Sequence, residues 1–249
     1  CPTSIEAQQF FIHAASILYL SRQTSIPDMP SAPPKFIDLA SIAVLTRASF
    51  EAFLTFHYIF VVPATPEEKD YCYWAYRVAG LVEGKSFSAT TKEHKQKLAE
   101  EKKELDYLHN KVHSNATFRQ LTERQRTRAL KGEWRWLPGN RGQISWRQLA
   151  TDAGLAKILS SDMYRHLSGY AHSGNLSILQ IKQSLQKREQ PLPIQASMST
   201  INIVAANVIH EYCELFPRAK SALYTYPKGT DIVGIWVRIG RTLNIEMPI

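Results

Sequence analysis

The stretch that decides the fold is Phe36-Ile-Asp-Leu-Ala-Ser-Ile-Ala-Val-Leu-Thr-Arg-Ala-Ser-Phe-Glu-Ala-Phe-Leu-Thr-Phe-His-Tyr-Ile-Phe-Val-Val62. It is apolar for the length of a membrane span, yet Asp38, Arg47, Glu51 and His57 are spread through it, and charges near the centre of a bilayer are expensive. A helix that is apolar on nearly every side and carries isolated charges reads better as the central helix of a bundle with no membrane around it. Arg47 and Glu51 lie one helical turn apart, but the cation comes first, the weaker order for an intrahelical pair. Each then needs a polar partner from another helix, because breaking a buried pair typically costs about 3 to 5 kcal/mol.

That partner is expected in Tyr164-Arg-His-Leu-Ser-Gly-Tyr-Ala-His-Ser-Gly-Asn175. Tyr164, Ser168 and His172 recur every four residues and share one helix face. Arg165 is seven before His172, almost two turns. Gly174-Asn175 reads as the helix stop, which puts His172 in the last turn, where the helix dipole favours an imidazolium and tunes it for acid/base work. A network that only locks helices together would use the same residues, so both readings stay open here.

Working outward, every long periodic segment has helical spacing, which predicts an all-α, single-domain bundle over 1–249 with seven to nine helices. Helices are expected over 4–21, after the stiff segment Pro27–Pro34, from Pro66 behind a Thr65 cap, and over 90–112 with one narrow apolar edge. A short helix starts near Ser145 and ends at Gly154, and others run over 176–188 and 198–216. Ile232–Val237 reads as a strand, because β-branched and aromatic residues dominate it.

Residues 115–147 read as a basic insertion within that bundle. From Arg119 to Arg147 there are eight basic residues against two acidic. Trp134, Trp136 and Trp146 interleave with them, and Pro138–Gly142 reads as a flexible loop. Arg124, Arg126, Arg128, Lys131, Arg135, Arg141 and Arg147 with Trp134 and Trp136 suit single-stranded nucleic acid, through phosphate contacts and base stacking. An ordinary solvated loop with its tryptophans packed inward is the competing expectation.

Composition narrows the class without naming it. The chain has 249 residues, 44% of them hydrophobic, with a net charge of +8 and a pI near 9.4. That suits a polyanionic partner such as RNA. Cys1, Cys72 and Cys213 are too few and too scattered for a disulfide framework or a thiolate zinc site, so a cytoplasmic, reducing setting is expected. A Cys in place of Met at position 1 reads as a trimmed start. His109 and His113 stand one turn apart without a third ligand, so neither a metal nor another cofactor is expected.

Arg165, followed by the polar His166, and His172, with six residues between the arginine and His172, resemble the Arg-then-His signature of the HEPN superfamily (higher eukaryotes and prokaryotes nucleotide-binding). Its members are helical and include toxin and defence ribonucleases; the spacing here is at the long end of their pattern. The resemblance implies a metal-independent endoribonuclease acting across a homodimer interface. Arg165 would hold the scissile phosphate, and His172 would activate the ribose 2′-hydroxyl or protonate the leaving oxygen. Tyr164-x-x-x-Ser168 is not part of that signature. Separately, Arg47–Glu51, Leu149–Leu155 and Tyr164-x-x-x-Ser168-x-x-x-His172 resemble an uncharacterised family of bacterial helical proteins over residues 36 to 180. From these residues the candidate catalytic set is Arg47, Glu51, Tyr164, Arg165, Ser168 and His172. The rival functions are a helical interaction or regulatory module with a partner protein, and a nucleic-acid-binding protein without catalysis.

Overall fold

A computed structural model describes residues 2–22, 36–186 and 192–242. The Pro27–Pro34 segment lies outside the described residues. In chain order the α-helices are α1 (Pro2–Leu20), α2 (Leu39–Phe56), α3 (Pro66–Gly84), α4 (Lys92–Ser114), α5 (Ala116–Gln120) and α6 (Glu123–Leu130). They continue as α7 (Trp146–Asp152), α8 (Tyr164–Ala171), α9 (Asn175–Gln186), α10 (Leu192–Leu215), α11 (Pro217–Tyr224) and α12 (Gly229–Thr242). Two π-helical segments, His57–Val61 and Ile158–Met163, follow α2 and precede α8. The protein is all-α, and no strand occurs among the described residues. The twelve α-helices among the described residues exceed the expected seven to nine because short helices such as α5, α6 and α11 are too brief to show a period.

The chain forms two compact units, residues 1–56 with 146–249, and residues 57–145. The second contains most of the basic stretch marked by sequence at 115–147.

In the first unit α2 packs against α1, α8 and α10. Leu39, Ile42, Phe50, Phe53 and Leu54 are buried on it, as are the hydroxyls of Thr46 and Ser49. Those hydroxyls donate to the carbonyls of Ile42 and Leu45 on their own helix, at 2.7 and 2.8 Å, so they cross an apolar core without needing an outside partner. On α10, Thr200 and Asn207 do the same toward Ala196 and Ile203, both at 2.8 Å. The α10 helix starts six residues before the expected Met198, since Pro193 falls in the first turn, where a missing N–H leaves no bond unmade. Leu39–Val61 and Leu192–Leu215 are long and apolar enough to cross a membrane by length and composition, with 56% and 50% of their apolar windows buried inside the protein.

The expected strand at Ile232–Val237 is helix α12 instead. Val233 and Val237, four apart, pack on Ala206 of α10 with Trp236 and Leu223 beside them, so tertiary packing overrides β propensity. Gly240 is on the same face and its carbonyl accepts from Ala156 N–H at 2.8 Å. A Cβ on Gly240 would meet Ile203 Cγ2 at 2.5 Å, whereas one on Gly234 of the same helix would meet nothing within 4 Å.

In the second unit α3 packs on α4, α5 and α6 around Tyr71, Cys72, Leu105, Leu108 and Phe118. Thr65 caps α3 as expected, accepting from Glu68 N–H at 3.1 Å. Tyr58 is buried, and its hydroxyl is shared between the carbonyls of Trp134 and Trp136, at 3.3 and 3.4 Å. Burial pushes the Cys72 thiol up to about 12.

The two glycines of α12 separate packing from propensity. Gly240→Ala should lose about 1 to 3 kcal/mol through overpacking against Ile203, while Gly234→Ala should gain up to about 1 kcal/mol from helix propensity. Urea denaturation of the two variants checks both signs.

Candidate functional site

α8 is short and ends in a defined cap. Ser173 takes a left-handed conformation (φ 52°), Ser173 N–H donates to Tyr170 O at 3.3 Å, and Gly174 N–H donates to Gly169 O at 2.8 Å. This pair of bonds is a Schellman motif with serine, rather than the anticipated Gly174, in the left-handed position. Gly174 is needed for another reason: a Cβ there would sit 3.3 Å from Gly169 O. The cap makes His172 the residue that closes the helix, exposed at its end.

Facing it, α2 presents Arg47 and Glu51, with side chains 21% and 29% exposed. One carboxylate oxygen, Glu51 Oε1, accepts from Arg47 Nε and Nη2, both at 3.1 Å, and from the Tyr164 hydroxyl at 2.6 Å. Arg47 Nη2 is 3.5 Å from Tyr164 Oη, its guanidinium carbon is 5.5 Å from the Tyr164 ring centroid, and Phe50 flanks that ring at 6.1 Å. Arg47 Nη1 reaches His172 Nε2 at 3.4 Å. A guanidinium only donates, so Nε2 can enter this contact only as an acceptor. Burial first, and then the bond to Glu51, push the Tyr164 phenol above its ordinary value, so it stays a proton donor at neutral pH. For Arg47, burial pulls the pKa down, but Tyr164 and Glu51 together raise it and the guanidinium stays charged.

The structure thus joins Arg47, Glu51, Tyr164 and His172 at the surface. It does not join the other two candidates to them. Ser168 Oγ donates to Tyr164 O at 2.7 Å, bonding back along its own helix. Arg165 is 84% exposed and pairs with Asp162 at 3.5 Å, one turn earlier. The arginine beside His172 is therefore Arg47, a long-range partner that helical spacing alone cannot reveal.

The basic stretch also rearranges. Trp136 is 3% exposed and buried against the second unit. Trp134 is half-buried between the edges of Tyr58 and Tyr76, at 5.3 and 5.0 Å, with Arg135 over it at 5.4 Å. Both indoles are engaged inside their unit, as the inward-packed expectation has it. Arg124, Lys131 and Arg141 are exposed, Arg126 and Arg128 half-buried, and Arg147 lies on α7 in the first unit. The Pro138–Gly142 segment is a tied turn rather than a loose loop: Gln125 Nε2 donates to Asn140 O at 2.7 Å, and Ile144 N–H to Arg135 O at 2.9 Å. The Gln125 side chain also completes a capping box with Thr122 at the start of α6, a signal in Thr122-Glu-Arg-Gln125 that was legible in sequence and overlooked. Among the described residues no group of three or more His, Cys, Asp or Glu side chains could hold a metal ion.

Residues 37–188 match the model of a family of unknown function, DUF5677, and the chain belongs to that family. The matched span includes every residue of the Arg47–His172 cluster. No curated protein and no solved structure matches the chain.

Two substitutions probe the cluster without touching His172. Tyr164→Phe removes the donor to Glu51 and should lower stability by about 1 to 2 kcal/mol. Ser173→Gly relieves the left-handed residue and should raise it by roughly 0.5 to 1 kcal/mol. Paired denaturation curves read both.

Proposed function

We propose, for a chain whose family carries no established activity, that it is a metal-independent endoribonuclease of toxin or defence type, with His172 and Arg47 as its catalytic residues. The observation that carries this reading is the 3.4 Å approach of the Arg47 guanidinium to the exposed Nε2 of His172. An RNA phosphate entering there takes over the guanidinium's hydrogen bonds, which frees the Nε2 lone pair at the moment a base is required. His172 then takes the proton of the ribose 2′-hydroxyl, the 2′-oxygen attacks phosphorus, and the bond to the 5′-oxygen breaks. The products are a 2′,3′-cyclic phosphate and a 5′-hydroxyl whose proton comes from solvent. Arg47 neutralises charge on the phosphorane oxygens, and Glu51 with Tyr164 hold Arg47 in place. The role that the HEPN resemblance gives to Arg165 thus passes to Arg47. The unpaired, buried thiols of Cys72 and Cys213 agree with work in a reducing cytoplasm.

A second reading, a non-catalytic interaction module, has its own support in α1, where Phe11 and Tyr19 are 71% and 69% exposed. Apolar side chains at that exposure fit a face that meets another chain, whether a second copy or a partner protein.

The test is cleavage of labelled single-stranded RNA in the presence of a chelator. His172→Ala and Arg47→Ala should each lose about 100-fold or more in rate, while Arg165→Ala stays within about 3-fold of the parent, less than 1 kcal/mol. Undiminished cleavage by His172→Ala, or retained folding with no cleavage by the parent chain under any RNA or trigger tried, removes the nuclease reading in favour of the interaction module.

A further inference from the structure

The second unit contains a cleft of about 560 Å³ between α6 and the Gly139–Gly142 turn. Arg124, Arg128 and Arg141 line it, and no carboxylate does. Arg128 is spoken for: its Nε donates to Glu133 at 2.8 Å, and its guanidinium lies 5.7 Å from the Trp136 ring centroid. Arg124 and Arg141 are exposed and make no ion pair among the described residues. At the base of this basic cleft is Trp136, which lines it, is 3% exposed, and has an indole Nε1 buried with no hydrogen-bond partner among the described residues. Buried donors without acceptors are rare in native proteins and call for an explanation, such as a ligand that supplies the acceptor.

The cleft wall is also fixed in advance. Gln125 ties the turn through Asn140 O, so that amide is spent on shape, not on a ligand. Gly139 takes a left-handed conformation (φ 85°), which glycine accepts without strain and which lets the turn fold against the cleft. Gln120, Thr122 and Gln143 also line the cleft and can donate or accept, but every fixed charge in it is positive, which selects an anion, and two unpaired guanidiniums favour a dianion over a carboxylate. The volume is far more than one phosphate needs and falls within the range of small-ligand pockets, so the dianion should carry an organic body.

We propose that this cleft binds a phosphate monoester of mononucleotide size, with Arg124 and Arg141 holding the phosphate and Trp136 Nε1 donating to an acceptor on the same molecule. The inference does not rest on the nuclease reading, since every residue it uses lies within residues 57–145.

Calorimetric titration of the full chain with inorganic phosphate, adenosine 5′-monophosphate and adenosine tests it. The nucleotide should bind, inorganic phosphate more weakly, and adenosine not at all at the same concentrations. Arg124→Ala with Arg141→Ala, both exposed positions, should weaken nucleotide binding by about 10-fold or more. Trp136→Phe keeps a ring in place and deletes the donor, and should weaken it by about 3- to 10-fold. If that variant fails to fold, the double arginine variant still decides the matter. His172→Ala should bind the nucleotide like the parent, which separates this outcome from the fate of the nuclease reading. Adenosine binding as tight as the nucleotide's, or no binding of the nucleotide at millimolar concentration, would overturn the proposal.

Discussion

A single carboxylate oxygen, Glu51 Oε1, governs how α2 and α8 meet. It stands on the most apolar helix of the chain and accepts from Arg47 and from Tyr164 at once. The ion pair alone would be weak, because the arginine precedes the glutamate by one turn and both remain partly exposed. The tyrosine hydroxyl changes that balance. It bonds at 2.6 Å to the same oxygen and also reaches the guanidinium, so the charges become part of the contact between two helices rather than a local ornament of one. Placement of His172 follows from this contact and from the backbone cap that ends α8.

Further along α2 and on α10, buried polarity is handled inside each helix. Thr46, Ser49, Thr200 and Asn207 are all buried, and each returns its donor to a carbonyl one turn earlier. Helices built in this way can pack apolar faces against each other without matched polar partners. The Arg47–Tyr164–His172 cluster instead links side chains across helices, as Tyr170 and Gln180 do between α8 and α9 at 2.7 Å, and it leaves the imidazole open to solvent. A π-helical segment, Ile158–Met163, leads directly into α8, and such segments recur at functional sites.

The helical class was legible because hydrophobic period survives in any long helix. The Thr65 cap and the pairing of α2 charges with the 164–172 stripe were legible too, the latter from a physical demand: a charged side chain on an apolar helix must find a partner. Two things were not. Ile232–Val237 has the composition of a strand, and only the helix spacing of Val233, Val237 and Gly240 against α10 overrules it. The place of Arg165 was the other: the HEPN resemblance sets it beside His172, whereas it turns to Asp162 and the arginine at His172 is Arg47. For the tryptophans of the basic stretch the sequence left two readings open, since an indole that packs inward and one that waits for a base have the same letter.

Cys72 carries a consequence of a different kind. Its thiol is enclosed beside Tyr58 and Tyr71, and burial keeps it protonated far above neutrality, so an alkylating reagent finds neither access nor thiolate in the closed form. Modification must wait for residues 57–145 to open. The rate at which this one sulfur is alkylated is therefore a clock for the breathing of its unit, built in by the sequence and readable without introducing a new cysteine.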